Sequence, residues 1–434
     1  METEQKQLDP EPARQYDVAD PYREPNPVHP VHPVSSSSPR LGLIADDLTG
    51  ALDTGAKFAR LGLDTVVLLA GDEVPAVSVV VLSTDSRDLP AEEARRRVRR
   101  AARLLDGRLL YKKIDSTFRG NIGAELEGLL ERSGLTRALV APSFPGAGRT
   151  AVGGYLRVDG ALLAESVFAH DPRWPATESH LPARLASQSR FGVGHLPLSV
   201  IEQGKEAVRR ALAETDAPLV VADAADESDL RTLASALIRM SEGWLPCGSA
   251  GLAAEWAAAL GLGPARDFSW EPDARPVLVV AGSRNPATSR QLRRCVEDGC
   301  TDLIDLPCAT LPVPESTHEA TRLLREGRNV ALATTFSDYR EAKEAEAAEV
   351  LAAEAAATLA GVEVAGVFVT GGDAARAVAR ALGATAFRVL GEVQAGVPAA
   401  TLLGGKYEGL RVVTKAGGFG DDLAIRRSID YLRG

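Results

Sequence analysis

Two adjacent acids, Asp46 and Asp47, stand where the short apolar run 41–45 gives way to Leu48-Thr49-Gly50-Ala51. A carboxylate at a strand end can take the proton of a bound hydroxyl or help to hold a cation, and two at one place could share such a role. Helix capping is the competing reading: an N-cap Asp satisfies free N–H groups and suits the helix dipole, which explains one acid readily and two less well. Two further polar clusters follow apolar runs: Ser83-Thr84-Asp85-Ser86-Arg87, and Lys112-Lys113-Ile114-Asp115-Ser116-Thr117-Phe118-Arg119-Gly120. They offer Arg and Lys together with hydroxyls, a set suited to gripping a small anionic, hydroxylated molecule through bidentate and charge-assisted hydrogen bonds. Each alone reads as a polar turn with a cap, whereas three convergent strand ends favour a site for a small polyhydroxy acid.

A fourth set lies in the second half: Ala281-Gly282-Ser283-Arg284-Asn285, Thr370-Gly371-Gly372-Asp373-Ala374 and Ala416-Gly417-Gly418-Phe419-Gly420. Each follows an expected strand and opens an expected helix, where backbone N–H groups and the helix dipole can hold phosphate oxygens. That points to a nucleotide. None of the turns matches GxxxxGK[ST] or a strict GxGxxG, so the chemistry is assigned to neither a P-loop nor a dinucleotide fingerprint. His170, His180 and His195 share one loop-rich stretch, but their spacing suits no helix-borne metal pair, and no metal-ligand set is legible.

These residues need strands to present them. From Leu41 onward short apolar runs alternate with helical segments, the pattern of an α/β protein with mostly parallel sheets flanked by helices. The expected strands are 41–45, 65–69, 77–82, 109–113, 137–141 and 218–222, then 276–281, 302–305, 330–334, 366–370 and 411–414. Helices are expected at about 50–61, 91–105, 120–132 and 341–359, and past Pro145 a Gly-rich stretch suggests long loops or a hairpin extending the first sheet. Residues 1–39, with repeated Pro and four consecutive Ser, read as a disordered tail. The organisation that follows is a domain over 40–262 that carries the clusters suited to a polyhydroxy acid, a linker over 263–275 and a domain over 276–434 that carries the nucleotide-suited glycine turns, each domain built on its own mostly parallel sheet.

Composition narrows the classes. At 434 residues the chain is long enough for two domains, and 45% hydrophobic with 25% charged residues is an ordinary globular balance. A formal charge of −10 argues against nucleic acid as partner, because such binding needs a basic surface; the arginine-rich segment 95–103 reads as the solvated face of a helix. No apolar run approaches the roughly 20 residues of a bilayer span, and the acidic N-terminus lacks a secretory pattern, so a cytoplasmic protein without membrane contact is expected. Cys247, Cys295, Cys300 and Cys308 fit neither a zinc knuckle nor a disulfide framework and read as reduced structural thiols; a homo-oligomer is compatible with the sequence.

As a set these residues resemble the four-carbon acid sugar kinase family. The resemblance is carried by Ile44-Ala45-Asp46-Asp47-Leu48-Thr49-Gly50-Ala51, by Lys113 to Asn121, and by Ala141-Pro142-Ser143-Phe144-Pro145. It continues through Gly248-Ser249-Ala250-Gly251-Leu252, Gly282-Ser283, Gly371-Gly372-Asp373 and Gly417-Gly418-Phe419-Gly420, and covers nearly all of 41–434. It implies transfer of phosphate from ATP, with Mg2+, to the 4-hydroxyl of threonate, erythronate or 3-oxo-tetronate, across a cleft between the two domains. Asp46, Arg87, Lys113, Ile114, Asp115 and Ser116 would contact the acid, with Asp46 or Asp47 taking the hydroxyl proton. Ser283, Gly371, Gly372, Asp373, Ala374, Gly417, Gly418, Phe419 and Gly420 would contact the nucleotide. Segment 171–180 looks more like the threonate or erythronate branch. Two alternatives stay open: Gly418-Phe419-Gly420-Asp421 also looks like the anion hole and base of ribokinase-type kinases, which would move the base to Asp421, and a sugar-acid sensor would keep the fold without turnover.

Overall fold

The computed structural model describes residues 40–69, 71, 73–171, 173–240, 243–262, 265–306, 314–334 and 344–434. The expected tail 1–39, Cys308 and linker positions 263–264 lie outside them. The N-terminal half contains β1 (Leu41–Ala45), β2 (Thr65–Leu68), β3 (Val79–Ser83), β4 (Leu109–Lys113) and β5 (Arg137–Ala141). Short strands β6 (Arg149–Val152), β7 (Tyr155–Val158) and β8 (Ala161–Leu162) follow, then β9 (Val193–Leu196), β10 (Leu219–Ala222) and β11 (Trp244–Gly248). The C-terminal half supplies β12 (Val277–Ala281), β13 (Asp302–Asp305), β14 (Val330–Ala333), β15 (Gly366–Thr370), β16 (Ala386–Gln394), β17 (Val397–Leu403) and β18 (Arg411–Lys415).

Fifteen of these strands form one sheet in the order β13-β14-β12-β15-β18-β17-β16-β2-β3-β1-β4-β11-β5-β10-β9. The central strands are apolar throughout and buried on both faces, as helix-covered parallel strands must be. The two expected sheets are therefore joined edge to edge. The join is antiparallel, with Phe387 of β16 opposite Val67 of β2, and β16 and β17 form a hairpin that turns at Gly396 with φ of 78°. Neither strand was expected from sequence, and neither were β9 and β11: Arg388, Gly391 and Glu392 interrupt the apolar run of β16, Pro398 and Thr401 that of β17, and β11, though buried throughout, carries Pro246.

A second correction concerns the Gly-rich stretch. It does not extend the main sheet; β6, β7 and β8 form a separate three-stranded sheet, bridged to neighbouring segments at Phe144–Arg149, Tyr155–His180 and Ala151–Ala224. Asp223 secures that attachment by accepting hydrogen bonds from Gly153 N (2.8 Å), Gly154 N (2.9 Å) and His195 Nε2 (3.0 Å). In helix Ala91–Leu104, Arg95 and Arg97 pair with Glu131 and Glu93, and Arg100 is buried, so this helix does not present one uniformly solvated basic face. No helix among the described residues is long and apolar enough to cross a membrane.

Candidate active site

Register delivers the first cluster. Ala45 at the end of β1 is level with Ser83 of β3 on one side and Lys113 of β4 on the other, so the polar turns that follow begin at one height. This is the carboxyl edge of a parallel sheet, where ligands bind in such folds. Arg87 occupies the middle: its Nε lies 2.7 Å from Asp46 Oδ2, and its Nη2 lies 2.8 Å from Asp47 Oδ1 and 3.8 Å from Asp115 Oδ1. Burial pushes the Asp46 carboxyl up, but the charges of Arg87, Lys112 and Lys113 outweigh it and hold Asp46 below the usual carboxylate range. For Asp115 burial is likewise overcome, by Arg119 and Arg87, and the group lies well below that range.

The two neighbouring acids take different roles. Asp47 is the N-cap of helix Leu48–Ala59, its Oδ1 accepting from Gly50 N at 3.0 Å. Asp46 is buried, and its Oδ1 has no hydrogen-bond partner among the described residues. Lys113 Nζ turns back to the Ile114 carbonyl at 2.9 Å, beside Gly50. Ile114, Asp115 and Ser116 are buried in the same turn, with Asp115 carrying Arg119 on its other side, Nε to Oδ2 at 2.9 Å.

The nucleotide-side turns are assembled by the same device. Ala281 is level with Thr370, and Thr370 with Lys415, so the turns after β12, β15 and β18 lie side by side. They are closely packed: a methyl group on Gly417 would fall 2.0 Å from Ser283 Oγ, and one on Gly282 would fall 2.7 Å from the Ala374 methyl. Gln291 Nε2 donates to the carbonyls of Phe419, Gly420 and Asp421, which pins the third turn. The helix ends differ in availability. Asn285 caps its own helix by accepting from Ala287 N at 2.9 Å, whereas helix Gly372–Ala381 begins at Gly371 with no side-chain cap. Its first N–H groups are therefore available to an anion. Gly371 has φ of 103°, with Ser283 N 3.2 Å from where a side chain would begin. Gly371→Ala is expected to lose roughly 1–3 kcal/mol of stability to backbone strain and to raise KM for ATP; unchanged melting and KM would show that the turn tolerates a side chain.

Lys415 lies just ahead of the third glycine turn and was not among the expected site residues, because it ends a strand and precedes the glycines; it meets Thr288, which closes the first glycine turn. Lys415 Nζ donates to Gly417 O (2.8 Å), Ala416 O (3.1 Å) and Thr288 Oγ1 (3.3 Å), and burial brings its ammonium down to about 7. A lysine whose folded pKa lies below its unfolded value weakens the fold at low pH and relieves that cost as pH rises. The wild type should gain on Lys415→Met by up to about 1.4 kcal/mol per pH unit between about pH 7 and pH 10. Urea midpoints measure this, and an offset that does not change with pH would refute it.

The two clusters meet at the N-termini of two helices. Helix Leu48–Ala59 packs against helix Gly372–Ala381 and β16. A methyl group on Gly372 would lie 3.1 Å from Thr49 Oγ1 and 3.7 Å from Asp47 Oδ2. Arg376 pairs with Asp85, and Arg173 Nη2 reaches Asp373 at 3.1 Å, so ion pairs cross the junction. Phe419 packs against Phe144 with ring centroids 6.2 Å apart, and the Arg149 guanidinium sits 5.4 Å from its ring. Asp421 stands apart in character: it is half exposed, accepts from Leu423 N at 3.2 Å and pairs with Arg427 at 2.5 Å.

A carboxylate-rich, arginine-centred cluster beside an uncapped helix end is the arrangement expected of a protein that brings a polar acceptor to a phosphate donor. The corresponding family models match the two halves, "Sugar-binding N-terminal domain" over residues 41–256 and "Nucleotide-binding C-terminal domain" over 278–425. The chain is 34% identical to a D-threonate kinase of Salmonella typhimurium, over 90% of this chain and 97% of that one. It is 33% identical to a D-erythronate kinase of Heliobacterium modesticaldum (90% and 96%) and 33% identical to a 3-oxo-tetronate kinase of Pseudomonas fluorescens (92% and 99%). Among solved structures, a Salmonella typhimurium protein described as a putative tRNA synthase superposes with TM-score 0.75 at 27% identity, covering 90% of this chain and 99% of that one. A Haemophilus influenzae protein superposes with TM-score 0.70 at 26% identity, covering 91% and 99%. The chain belongs to the four-carbon acid sugar kinase family.

Proposed function

We propose that the protein transfers the γ-phosphoryl group of ATP to the 4-hydroxyl of a four-carbon sugar acid, with D-threonate, D-erythronate and 3-oxo-tetronate as the candidate acceptors. The observation that carries this reading is the approach of Gly372, in the uncapped first turn of its helix, to Thr49 and Asp47. It brings an anion-holding helix end of the nucleotide half against the carboxylates of the sugar half. Residues 40–262 would hold the acid and 276–434 the nucleotide, with 263–275 joining them.

Phosphoryl transfer proceeds through a loose transition state, so positioning and charge stabilisation carry most of the work. Asp46 accepts the 4-hydroxyl proton: it is ionised, its Oδ1 is uncommitted, and Arg87 fixes its orientation through Oδ2. The freed oxygen bonds to the γ-phosphorus while the bond to the β-phosphate oxygen breaks, leaving the phosphorylated acid and ADP. The first turn of helix Gly372–Ala381, with Ser283 and the turn 417–420, receives the phosphates. Mg2+ usually takes one or two carboxylates and completes its shell with phosphate oxygens and water, so it does not need an all-protein cage. Among the described residues no group of three or more metal-ligating side chains occurs, but Asp47, whose Oδ2 faces Gly372, suits that partial role. The metal would offset charge on the phosphates.

ADP release measured over D-threonate, D-erythronate, 3-oxo-tetronate and longer sugar acids should rise with at least one four-carbon acid. Silence across the panel from folded protein would overturn the proposal, and intact acid binding with no turnover would favour the sensor reading.

A further inference from the structure

Arg87 is paired with Asp46 and Asp47 and lies 3.8 Å from Asp115. A second group of arginines lies beyond Asp115. Arg119 pairs with Asp115 and Asp171, its Nη1 3.1 Å from Asp171 Oδ2, and its guanidinium sits 5.4 Å from the centre of the Phe168 ring. Arg149 approaches the same ring at 6.0 Å and the Phe419 ring of the nucleotide half at 5.4 Å. Arg184 lies within electrostatic reach of both Asp115 and Arg119.

Arg149 is the unusual member. It is 7% exposed, and among the described residues its side chain donates to the Ala147 carbonyl alone, its Nε has no partner, and it forms no ion pair. Among the described residues the Arg184 side chain likewise has only a backbone acceptor, Glu178 O at 3.5 Å. The acids nearby are committed or distant: Asp115 and Asp171 are held by Arg119, while Asp159 acts on Arg149 only at longer range, from the surface. Burial holds both the Arg149 and Arg184 guanidinium groups below their ordinary values. A buried guanidinium without a counter-charge is costly to the fold, and an anion that accepts its spare N–H groups removes that cost.

We infer that Arg149, with Arg119 beside it on the Phe168 ring, forms the subsite that binds the carboxylate of the sugar acid. This rests on the proposed kinase reading and gives the acceptor a direction: its carboxylate lies on the Arg149 side of Asp115 and its terminal hydroxyl on the Asp46 side. Phe419 then ties the two ends of the reaction together, because the turn expected to hold the nucleotide also covers the arginine that holds the acid.

The test compares wild type, Arg149→Gln and Arg149→Lys with D-threonate, with the neutral polyol threitol and with ADP, by calorimetric titration and by turnover. Arg149→Gln should weaken D-threonate binding about 10- to 100-fold, leave ADP affinity near wild type, and erase most of the preference for acid over polyol. Arg149→Lys should recover part of that loss, because the charge returns without the planar fork. Equal loss for acid and polyol would overturn the inference in favour of a packing role. Loss for ADP with unchanged acid binding would overturn it in favour of a phosphate contact. If the wild type binds D-threonate through Arg149 but phosphorylates no acid, the kinase reading fails and the subsite stands. If the wild type binds no acid, the subsite fails too.

Discussion

Asp46→Asn should lower turnover about 10²- to 10⁴-fold while leaving the protein folded and the nucleotide bound, the scale expected when a general base is removed. The amide keeps the shape of the side chain but removes the negative charge that would accept the proton and that pairs with Arg87. The loss should fall mainly in kcat, because Arg87 keeps Asp47 and Asp115 as partners and still shapes the pocket. Asp47→Asn should also impair turnover, with part of its effect appearing as stability through the weakened cap on helix Leu48–Ala59. Asp421→Asn provides the contrast. That side chain is engaged at the entry to the last helix by Leu423 N and Arg427, so its replacement should cost at most about 0.5–2 kcal/mol of stability and little rate. Retained turnover in Asp46→Asn and Asp47→Asn, with Asp421→Asn inactive, would transfer the base to Asp421 and establish the ribokinase-type alternative.

Glu125→Leu should be among the most destabilising single changes, by about 3–5 kcal/mol, because it strands a buried charge. Lys112 Nζ lies 2.8 Å from Glu125 Oε2, both side chains are inaccessible to solvent, and Ser86 donates to the other carboxylate oxygen at 2.5 Å. Burial works against both charges: Glu125 and Asp46 more than restore the Lys112 ammonium, whereas burial leaves the Glu125 carboxyl above its usual range. The double change Lys112→Met with Glu125→Leu should recover much of the loss, since neither charge then remains buried alone. Denaturant unfolding of the four proteins measures this directly. Additive losses would mean that the two residues act independently.

The comparison between sequence and structure is most instructive at the acids. That Asp46 and Asp47 stand at a strand end is a local property, legible from the apolar run before them and the helix-forming segment after them. Which of them caps the helix depends on backbone direction at one residue and on where Arg87 arrives from another strand. Arg149 illustrates the other limit. It follows a Gly-rich turn after β5, and nothing adjacent in sequence marks it, since its significance comes from burial without a counter-ion and from Phe168 and Phe419, both distant in the chain.

The sequence by itself determined most of the buried strands, β11 excepted, the polar and glycine turns that end them, and the residue types available for gripping an acid and a phosphate. Tertiary structure decided how those turns combine. The order β3-β1-β4 brings Arg87, Asp46 and Asp115 together, the order β12-β15-β18 aligns Ser283, Gly371 and Gly417, and the β16–β2 pairing makes the two halves one sheet. The physical reason is range: a buried strand and the turn that ends it are encoded by neighbouring residues, whereas strand order and register arise from pairings between distant segments that bury their apolar faces together.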